Sequence, residues 1–332
     1  MMMKLRALAL LTLALLAGGA AFAGKRPPYE HYVVGNAGDV LLPMPPTSTT
    51  LLMGGGPDVD AAFAWMIAKA GGGDFVVIRS RGTDAYNPYI YAMGGADSVE
   101  TLVIPSVEAA NDPFVIDRIT KAEALFIAGG DQSDYIKYWK GTGVDTALQG
   151  LIARHVPIGG TSAGLAVLGE VDFAALNGGA TSSDAPANPY GRRMTLDRGF
   201  LTAPFLAGAI ADAHLVERDR MGRLVTFMAR MAQDGWVGTP RAVGLDVETA
   251  LAIEDGVATR LGLGAAYFLQ GGAPQVCQKR MPLTYRDVQV QRLSGAGSFD
   301  LIQWQGMGST SDYALDAEAG LLSSSQPGGG IY

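Results

Sequence analysis

Residues 156–164 read VPIGGTSAG, an apolar run that leads directly into a turn of small residues. The last five residues fit the G-x-S-x-G pattern of a nucleophile elbow, in which a serine stands on a sharp turn between a strand and a helix. The apolar run that follows, residues 165–168, predicts that helix. The pattern therefore predicts that Ser162 projects its hydroxyl into a cleft from strained backbone. The alternative interpretation is an ordinary turn rich in glycine and serine.

Other short apolar runs along the chain end in turns in the same way. They lie at residues 49–53, 75–78, 102–104 and 124–128, and helix-length segments such as 60–70 and 145–154 separate them. Each run is continuously apolar rather than alternating, as expected for parallel strands that are covered on both faces. This order predicts an α/β fold with a doubly wound, mostly parallel sheet, whose ligands bind at the carboxyl ends of the strands.

Composition excludes several classes of protein. The chain has 332 residues, of which 48% are hydrophobic and 17% charged, as in a globular protein. Its net charge of -7 opposes non-specific binding of nucleic acid, so no nucleic-acid partner is expected. A single cysteine, Cys277, excludes an intramolecular disulfide and a cysteine-clustered metal site. We expect neither a metal nor a cofactor.

The first residues predict export. Lys4 and Arg6 precede an apolar run over residues 7–17 and small residues that end at Ala23. This pattern is typical of a secretory signal peptide over residues 1–23, so the mature protein is expected in the periplasm or outside the cell, free of the membrane. The alternative is a membrane anchor, which needs about 20 apolar residues.

The remaining sequence divides into two regions. Residues 24–275 are expected to form the catalytic α/β domain. Residues 276–332 are expected to form a β-rich extension with a flexible end. The strands predicted around this boundary lie at residues 250–253, 265–269, 288–290 and 301–304.

A serine hydroxyl is a weak nucleophile without a neighbouring base, and the chain offers few histidines for that role. His155 precedes Ser162 by seven residues, so it should lie about 20 Å away at the other end of the strand. His31 lies near the predicted mature N-terminus, in a segment without an evident role in the sheet. His214, just before an amphipathic helical segment, is therefore the predicted base.

The base needs a carboxylate that accepts a hydrogen bond from its second ring nitrogen. Five candidates lie between Ser162 and His214, and spacing alone leaves the choice among them open. They are Glu170, Asp172, Asp184, Asp197 and Asp212. Asp184 lies in a loop long enough to fold back over the edge of the sheet, whereas Glu170 should point away along the helix after the elbow.

Substrate contacts can also be predicted. Arg218, Arg220 and Arg223 follow His214 closely, which favours bidentate capture of carboxylates over a merely solvated start of a helix. The backbone amides of Ala163, at the N-terminus of the helix predicted after the elbow, and of Gly130, at the end of a neighbouring predicted strand, are candidate donors for an oxyanion. Gln132, close to Gly130, is a candidate polar contact for substrate.

Together these motifs resemble the cyanophycinase and dipeptidase E family of serine exopeptidases. The matching segments are GGDQ at 129–132, GTSAG at 160–164, and DAH at 212–214 followed by R-x-R-x-x-R-L at 218–224. The resemblance extends over residues 50–270. It implies a flavodoxin-like fold similar to class I glutamine amidotransferases, with serine in place of their cysteine. It also implies release of β-Asp-Arg dipeptides from cyanophycin, a polyaspartate that carries arginine, through a Ser-His-acid triad and an acyl-enzyme.

The resemblance implies roles for individual residues. Ser162 is the nucleophile, His214 the base and Asp184 the acid, because the family's acid precedes an Asn-Pro pair, here at 188–189. The family more often has glutamate at that position. The residues implied to line the substrate pocket are Gln132, Asp212, Arg218, Arg220 and Arg223. Ala213 departs from the family, which has a polar residue there, so the resemblance implies no substrate contact at this position.

The expected partner is a cyanophycin-like polypeptide substrate, and a homodimer stays open. Two other functions fit the same residues: a dipeptidase for α-aspartyl or isoaspartyl peptides, and a non-catalytic binding protein on this scaffold. An esterase of the α/β-hydrolase type uses the same elbow, but its histidine normally lies nearer the chain end, and no histidine follows His214.

Overall fold

A computed structural model describes residues 26–38 and 47–332, and the predicted signal peptide at 1–23 lies outside them. The strands are β1 (Glu30–Gly35), β2 (Thr49–Met53), β3 (Asp74–Arg79), β4 (Ser98–Val103), β5 (Ala124–Ile127), β6 (Ile158–Thr161), β7 (Val171–Phe173), β8 (Leu196–Arg198), β9 (Ala209–Asp212), β10 (Arg241–Leu245), β11 (Thr249–Glu254), β12 (Val257–Gly262), β13 (Ala266–Gln270), β14 (Tyr285–Asp300), β15 (Gln305–Glu318) and β16 (Leu321–Ser324). The helices are α1 (Asp60–Ala70), α2 (Tyr86–Tyr91), α3 (Val107–Ala110), α4 (Pro113–Lys121), α5 (Gln132–Tyr138), α6 (Gly143–Ala153), α7 (Asp184–Ala187) and α8 (Met221–Gln233). Among these helices, none is long and apolar enough to cross a membrane.

A parallel core of five strands, in the order β4-β3-β5-β6-β2, contains the runs that the sequence predicted as buried strands. Successive side chains of β3 point to opposite faces, where helices cover them. Phe75 and Val77 pack in the cluster that contains α1, whereas Val76 and Ile78 pack in the cluster that contains α4 and α6. The continuous apolar pattern therefore reflects a sheet covered on both sides.

Beyond this core the sheet is mixed, so the expectation of a mostly parallel sheet is wrong for the molecule as a whole. β11 pairs antiparallel with β2, and the sheet continues through β12, β14, β13, β10, β9, β7 and β8. Within this half, β9 pairs in parallel with β10 and β7, and most other pairings are antiparallel. The chain is thus an α/β protein with one mixed sheet.

The β-rich extension is present and is part of this sheet. β14 pairs with both β12 and β13, and β15 and β16 continue from it. The strand predicted at residues 301–304 is wrong, because these residues form the turn between β14 and β15. Leu301 and Trp304 are buried in that turn, and the Asp300 carboxylate accepts its amide hydrogens. The apolar residues that are buried in this turn were the only reason for predicting a strand there.

The chain after the elbow also differs from the prediction. Instead of a helix, a single 3-10 turn over Leu165–Val167 leads into β7. Gly169 lies against the backbone of β9, where a Cβ atom would come within 2.7 Å of the Ala209 carbonyl oxygen. Glu170 therefore lies on no helix, and its carboxylate accepts a hydrogen bond from the Gly208 amide at 2.7 Å.

His31 lies in the sheet, contrary to the expectation from the sequence. It belongs to the antiparallel edge strand β1, and its Nε2 is 2.6 Å from the buried carboxylate of Glu100 on β4. Arg118 of α4 pairs with both Glu100 and Asp74. His31 thus takes part in a structural ion network at the edge of the sheet.

Asp172 on β7 is fully buried, and neither of its carboxylate oxygens has a hydrogen-bond partner in the described part of the chain. Burial, with a smaller effect of Asp197, raises the pKa of the Asp172 carboxyl well above its ordinary value. In the folded protein the carboxyl thus keeps its proton to a higher pH than in the unfolded chain.

We predict that Asp172 makes the protein less stable as pH rises. Below about pH 4 the carboxyl is protonated in both states. Above that pH only the unfolded state releases the proton, so each pH unit up to the raised pKa removes about 1.4 kcal/mol from the free energy of unfolding. Asp172→Asn should remove this decline in denaturant titrations between pH 5 and pH 8. The exposed control Asp117→Asn should keep it, and an unchanged decline in Asp172→Asn would contradict the prediction.

Candidate active site

Ser162 stands on the turn that follows β6, in the left-handed backbone conformation with φ of 52°. Its amide donates a hydrogen bond to the Met53 carbonyl at the end of β2, at 3.0 Å. The two glycines of the elbow are required by close contact. A Cβ atom on Gly160 would lie 2.5 Å from the carbonyl carbon of Gly164, and one on Gly164 would overlap the Ile127 carbonyl. The strained turn predicted from the sequence is therefore confirmed.

His214 follows β9 and faces Ser162 although 52 residues separate them. Its Nε2 lies 2.9 Å from Ser162 Oγ, within hydrogen-bond distance. His214 is buried and also has left-handed backbone, with φ of 49°. Its amide donates to the Gly54 carbonyl at 2.9 Å. The fold thus brings the predicted nucleophile and base together.

Gly55 completes the support of the imidazole, a role that was not predicted from the sequence. It has φ of 89°, and a Cβ atom there would overlap Nε2 of His214 and come within 2.6 Å of its Cε1. The backbone of Gly55 therefore packs directly against the ring. The only sequence signal was the glycine run 54–56 directly after a predicted strand.

The carboxylate beside His214 is Glu217, and not the predicted Asp184. Glu217 Oε2 lies 3.1 Å from His214 Nδ1, the ring nitrogen that faces away from Ser162. Asp184 begins α7, where its exposed carboxylate lies 4.0 Å from Arg193. Glu217 takes the predicted place of Asp184 because a tight turn after His214 brings the residue three positions later back to the imidazole.

The environment of His214 favours the neutral imidazole that a general base needs. Burial lowers the pKa of His214, and the positive charges of Arg218 and Arg220 lower it further. The hydrogen bond from the ring to Glu217 acts in the opposite direction and raises the pKa. The net direction is a pKa below the ordinary value of 6.5.

Two of the predicted pocket residues bind each other. Arg223 donates from Nε and Nη2 to the two carboxylate oxygens of Asp212 at 2.7 and 2.6 Å, and both side chains are buried. Arg220 donates to the Ala213 carbonyl, and burial lowers its pKa to about 10, so it remains charged at neutral pH. Arg218 is exposed. Arg220 Nη1 also lies 3.5 Å from Oδ1 of Asp212, so Arg218 is the one of these three arginines that lies outside the ion pairs with Asp212.

The remaining predicted residues lie at the ends of β5 and β6. Gly129 lies close to Ser162, since a Cβ atom on it would be 3.5 Å from the serine Cβ. The adjacent Gly130 is exposed, and within the described ranges neither its amide nor that of Ala163 donates to a protein acceptor. Gln132 begins α5 and donates to the Phe173 carbonyl at 3.3 Å. Residues 26–38 and 47–332 contain no group of three or more His, Cys, Asp or Glu that could hold a metal ion.

Comparison with known proteins agrees with the geometry. Residues 86–182 match the family described as Peptidase family S51, and this range includes Gly130 and Ser162. The cyanophycinase of Trichormus variabilis is 28% identical over 226 residues, which cover 64% of this chain and 69% of that protein. The cyanophycinase of Synechococcus elongatus is 30% identical over 206 residues, 59% of each chain.

A solved structure shares the fold. The crystal structure of a peptidase from an acI-B1 Actinobacterium superposes with a TM-score of 0.51 over 76% of this chain and 97% of that one, at 15% identity. The sequence matches support a serine-type peptidase, the class that the elbow predicted. Within that class they confirm the family resemblance, because the relatives are cyanophycinases and the matching family is S51.

Replacing Gly55 with alanine should displace the imidazole. We expect Gly55→Ala to slow labelling of Ser162 by a fluorophosphonate about a hundredfold, because the new methyl group occupies the space of Nε2. Gly94→Ala is the matched control, since Gly94 also has positive φ but no atom within 4 Å of the position that its new methyl group would take. The labelling rates are measured by intact-mass spectrometry. Equal rates in the two variants would contradict the contact between Gly55 and the His214 imidazole.

Glu217 and Asp184 can be distinguished by the same measurement. We expect Glu217→Gln to slow labelling about tenfold, because the protonated imidazole loses its carboxylate partner in the transition state. The pKa of His214 should fall as well, since Glu217 raises it. Asp184→Asn should label at the rate of the unmodified protein. The reverse result would return Asp184 to the triad.

Proposed function

We propose that this chain is an exported cyanophycinase-like serine exopeptidase that releases β-Asp-Arg dipeptides from cyanophycin. The observation that carries the proposal is the 2.9 Å separation of Ser162 Oγ and His214 Nε2 at an elbow with left-handed backbone. The similarity to cyanophycinases supports the choice of substrate. In this proposal the triad is Ser162, His214 and Glu217.

The reaction begins when Nε2 of His214 takes the Ser162 proton as Oγ attacks the carbonyl carbon of the scissile bond. The amides of Gly130 and Ala163 donate hydrogen bonds to the oxygen that becomes negatively charged. His214 then gives its proton to the leaving amine, and the acyl-enzyme forms. Water that loses a proton to His214 attacks this ester, and Ser162 regains its hydrogen as the product acid leaves.

Substrate recognition is assigned to the groups that stay available after the internal pairs form. Arg218 would bind an aspartyl carboxylate, which a guanidinium group recognises through paired hydrogen bonds. Arg220, which already pairs with Asp212, would add its positive charge to this side of the pocket. Gln132 would contact the polymer from the start of α5. Asp212 and Arg223 act differently: their mutual pairing holds β9 to α8 and thereby sets the position of the turn that carries His214.

The proposal also includes the fold type, the division of the chain and the location of the protein. The parallel core with helices on both faces supports a doubly wound fold of the class I glutamine amidotransferase type. We assign residues 1–23 to a signal peptide, 24–275 to the catalytic domain and 276–332 to the extension. The expected location is the periplasm or the extracellular space, without attachment to the membrane after cleavage.

The direct test is incubation of the purified mature protein with insoluble cyanophycin, followed by mass analysis of the released products. We expect β-Asp-Arg from the unmodified protein and at least a thousandfold less from Ser162→Ala, because removal of the nucleophile abolishes acylation. Circular dichroism should show that both proteins are folded. The acid limb of the kcat/KM profile should lie below pH 6.5, since burial lowers the pKa of His214.

The outcomes separate the alternative functions. Cleavage of α-aspartyl or isoaspartyl dipeptides without release from the polymer would replace cyanophycin by a small substrate and keep the serine mechanism. A folded protein whose Ser162 reacts with no acylating reagent would favour a binding protein. Equal product release by Ser162→Ala would contradict the proposal as a whole.

A further inference from the structure

We propose that the hydroxyl of Tyr332 positions the catalytic turn, defined here as residues 214–220, by holding the end of that turn against the start of α8. The inference rests on the proposed function, since it concerns the same His214. It assigns a catalytic contribution to the extension, a region that the sequence analysis expected to have a flexible end.

Residues 326–332 are fixed on the body of the protein. Gln326 donates to the Gly330 carbonyl, and Tyr313 donates its hydroxyl hydrogen to the Ile331 carbonyl at 3.0 Å. The rings of Tyr332 and Tyr267 meet edge to face, 6.2 Å apart. Ile331 and Tyr332 also pack on the apolar cluster beneath α8. These contacts place the Tyr332 hydroxyl at one defined position.

That hydroxyl makes two hydrogen bonds of opposite direction. It donates to the Asp219 carboxylate at 2.6 Å and accepts the amide hydrogen of Met221, the first residue of α8, at 3.1 Å. The Ser182 hydroxyl accepts the next amide, that of Gly222, at 2.8 Å. Tyr332 therefore accepts the first amide of α8 and ties it to Asp219, while Ser182 accepts the second.

The catalytic turn is compact, so a constraint at one end reaches the other. The amides of Arg218, Asp219 and Arg220 donate back to the carbonyls of His214, Val216 and Leu215. Asp219 has left-handed backbone with φ of 44°. A strained residue keeps such a conformation only when its surroundings hold it, and the Tyr332 hydroxyl is the partner of its side chain.

Glu217 depends on this support because its own side chain is half exposed. The side chain is 52% exposed in the ion pair with His214, and exposed pairs hold their geometry weakly. The backbone of the catalytic turn therefore determines whether Glu217 reaches Nδ1. The charged groups that act on the imidazole are Glu217, Arg218 and Arg220, all within the turn, whereas the neighbouring strand ends contribute the uncharged Ser162 and Gly55.

The test compares Tyr332→Phe with Tyr190→Phe. Tyr190 makes the same kind of bond, to Asp234 at 2.6 Å, at the opposite end of α8. We expect Tyr332→Phe to lower kcat on cyanophycin about tenfold with a smaller change in KM, since a hydrogen bond to a charged group is lost. Tyr190→Phe should keep the rates of the unmodified protein. In the Glu217→Gln background, Tyr332→Phe should have little further effect, because both substitutions remove one interaction.

A second readout does not need activity. The chain has three histidines, so the His214 imidazole can be assigned by NMR, and its pKa should fall in Tyr332→Phe as it does in Glu217→Gln. If Tyr332→Phe does not fold, Asp219→Asn removes the same charged bond and keeps the tyrosine. An unchanged His214 pKa, or rates in Tyr332→Phe equal to those in Tyr190→Phe, would overturn the inference. A normal pKa response without any hydrolysis by the unmodified protein would instead reject the proposed function.

Discussion

The end of β2 is the constraint on which the site depends. Two consecutive carbonyls there, those of Met53 and Gly54, accept the amides of Ser162 and His214, and the backbone of Gly55 packs on the imidazole. Ser162 and His214 both have left-handed backbone, a conformation that costs a non-glycine residue about 1–3 kcal/mol. Anchoring both to one strand end compensates that strain and fixes their separation at the same time.

The position of His214 also determines which charged groups act on its imidazole. Burial and two arginines favour the neutral ring, while a half-exposed Glu217 favours the protonated ring without holding it permanently charged. A buried Asp212 and Arg223 pair lies next to this site without supplying charge to the cleft. Removal of one partner from such a pair is strongly destabilising, so these two residues contribute to the site through the stability of the fold.

The sequence predicted the features that follow from local chain geometry. The elbow at Ser162 was recognisable because close backbones require Gly160 and Gly164, and His214 followed from the scarcity of histidines. Glu217 was not recognisable, because its approach to Nδ1 depends on a tight turn that spacing does not reveal. Asp212 and Arg223 were assigned to the substrate because sequence shows which charges are present, and the fold decides that they bind each other.

The sheet, too, was predictable from the sequence only where local patterns determine it. Continuous apolar runs identified β2 and β3 because both faces of these strands are covered. Residues 301–304 gave a similar pattern in a buried turn, because an apolar run without clear periodicity does not distinguish a buried strand from a buried turn. The position of the long β14, which pairs with both β12 and β13, could not be predicted, because strand order depends on contacts between distant parts of the chain.

The central claim is that the imidazole of His214 activates the hydroxyl of Ser162. The most direct measurement is the pH dependence of Ser162 acylation by an activated ester, followed by mass mapping of the modified peptide in the unmodified protein and in His214→Ala. We predict that acylation follows one ionisation with a pKa below 6.5 and falls at least a thousandfold in His214→Ala. Acylation of Ser162 at an unchanged rate without His214, or acylation at another residue, would contradict it.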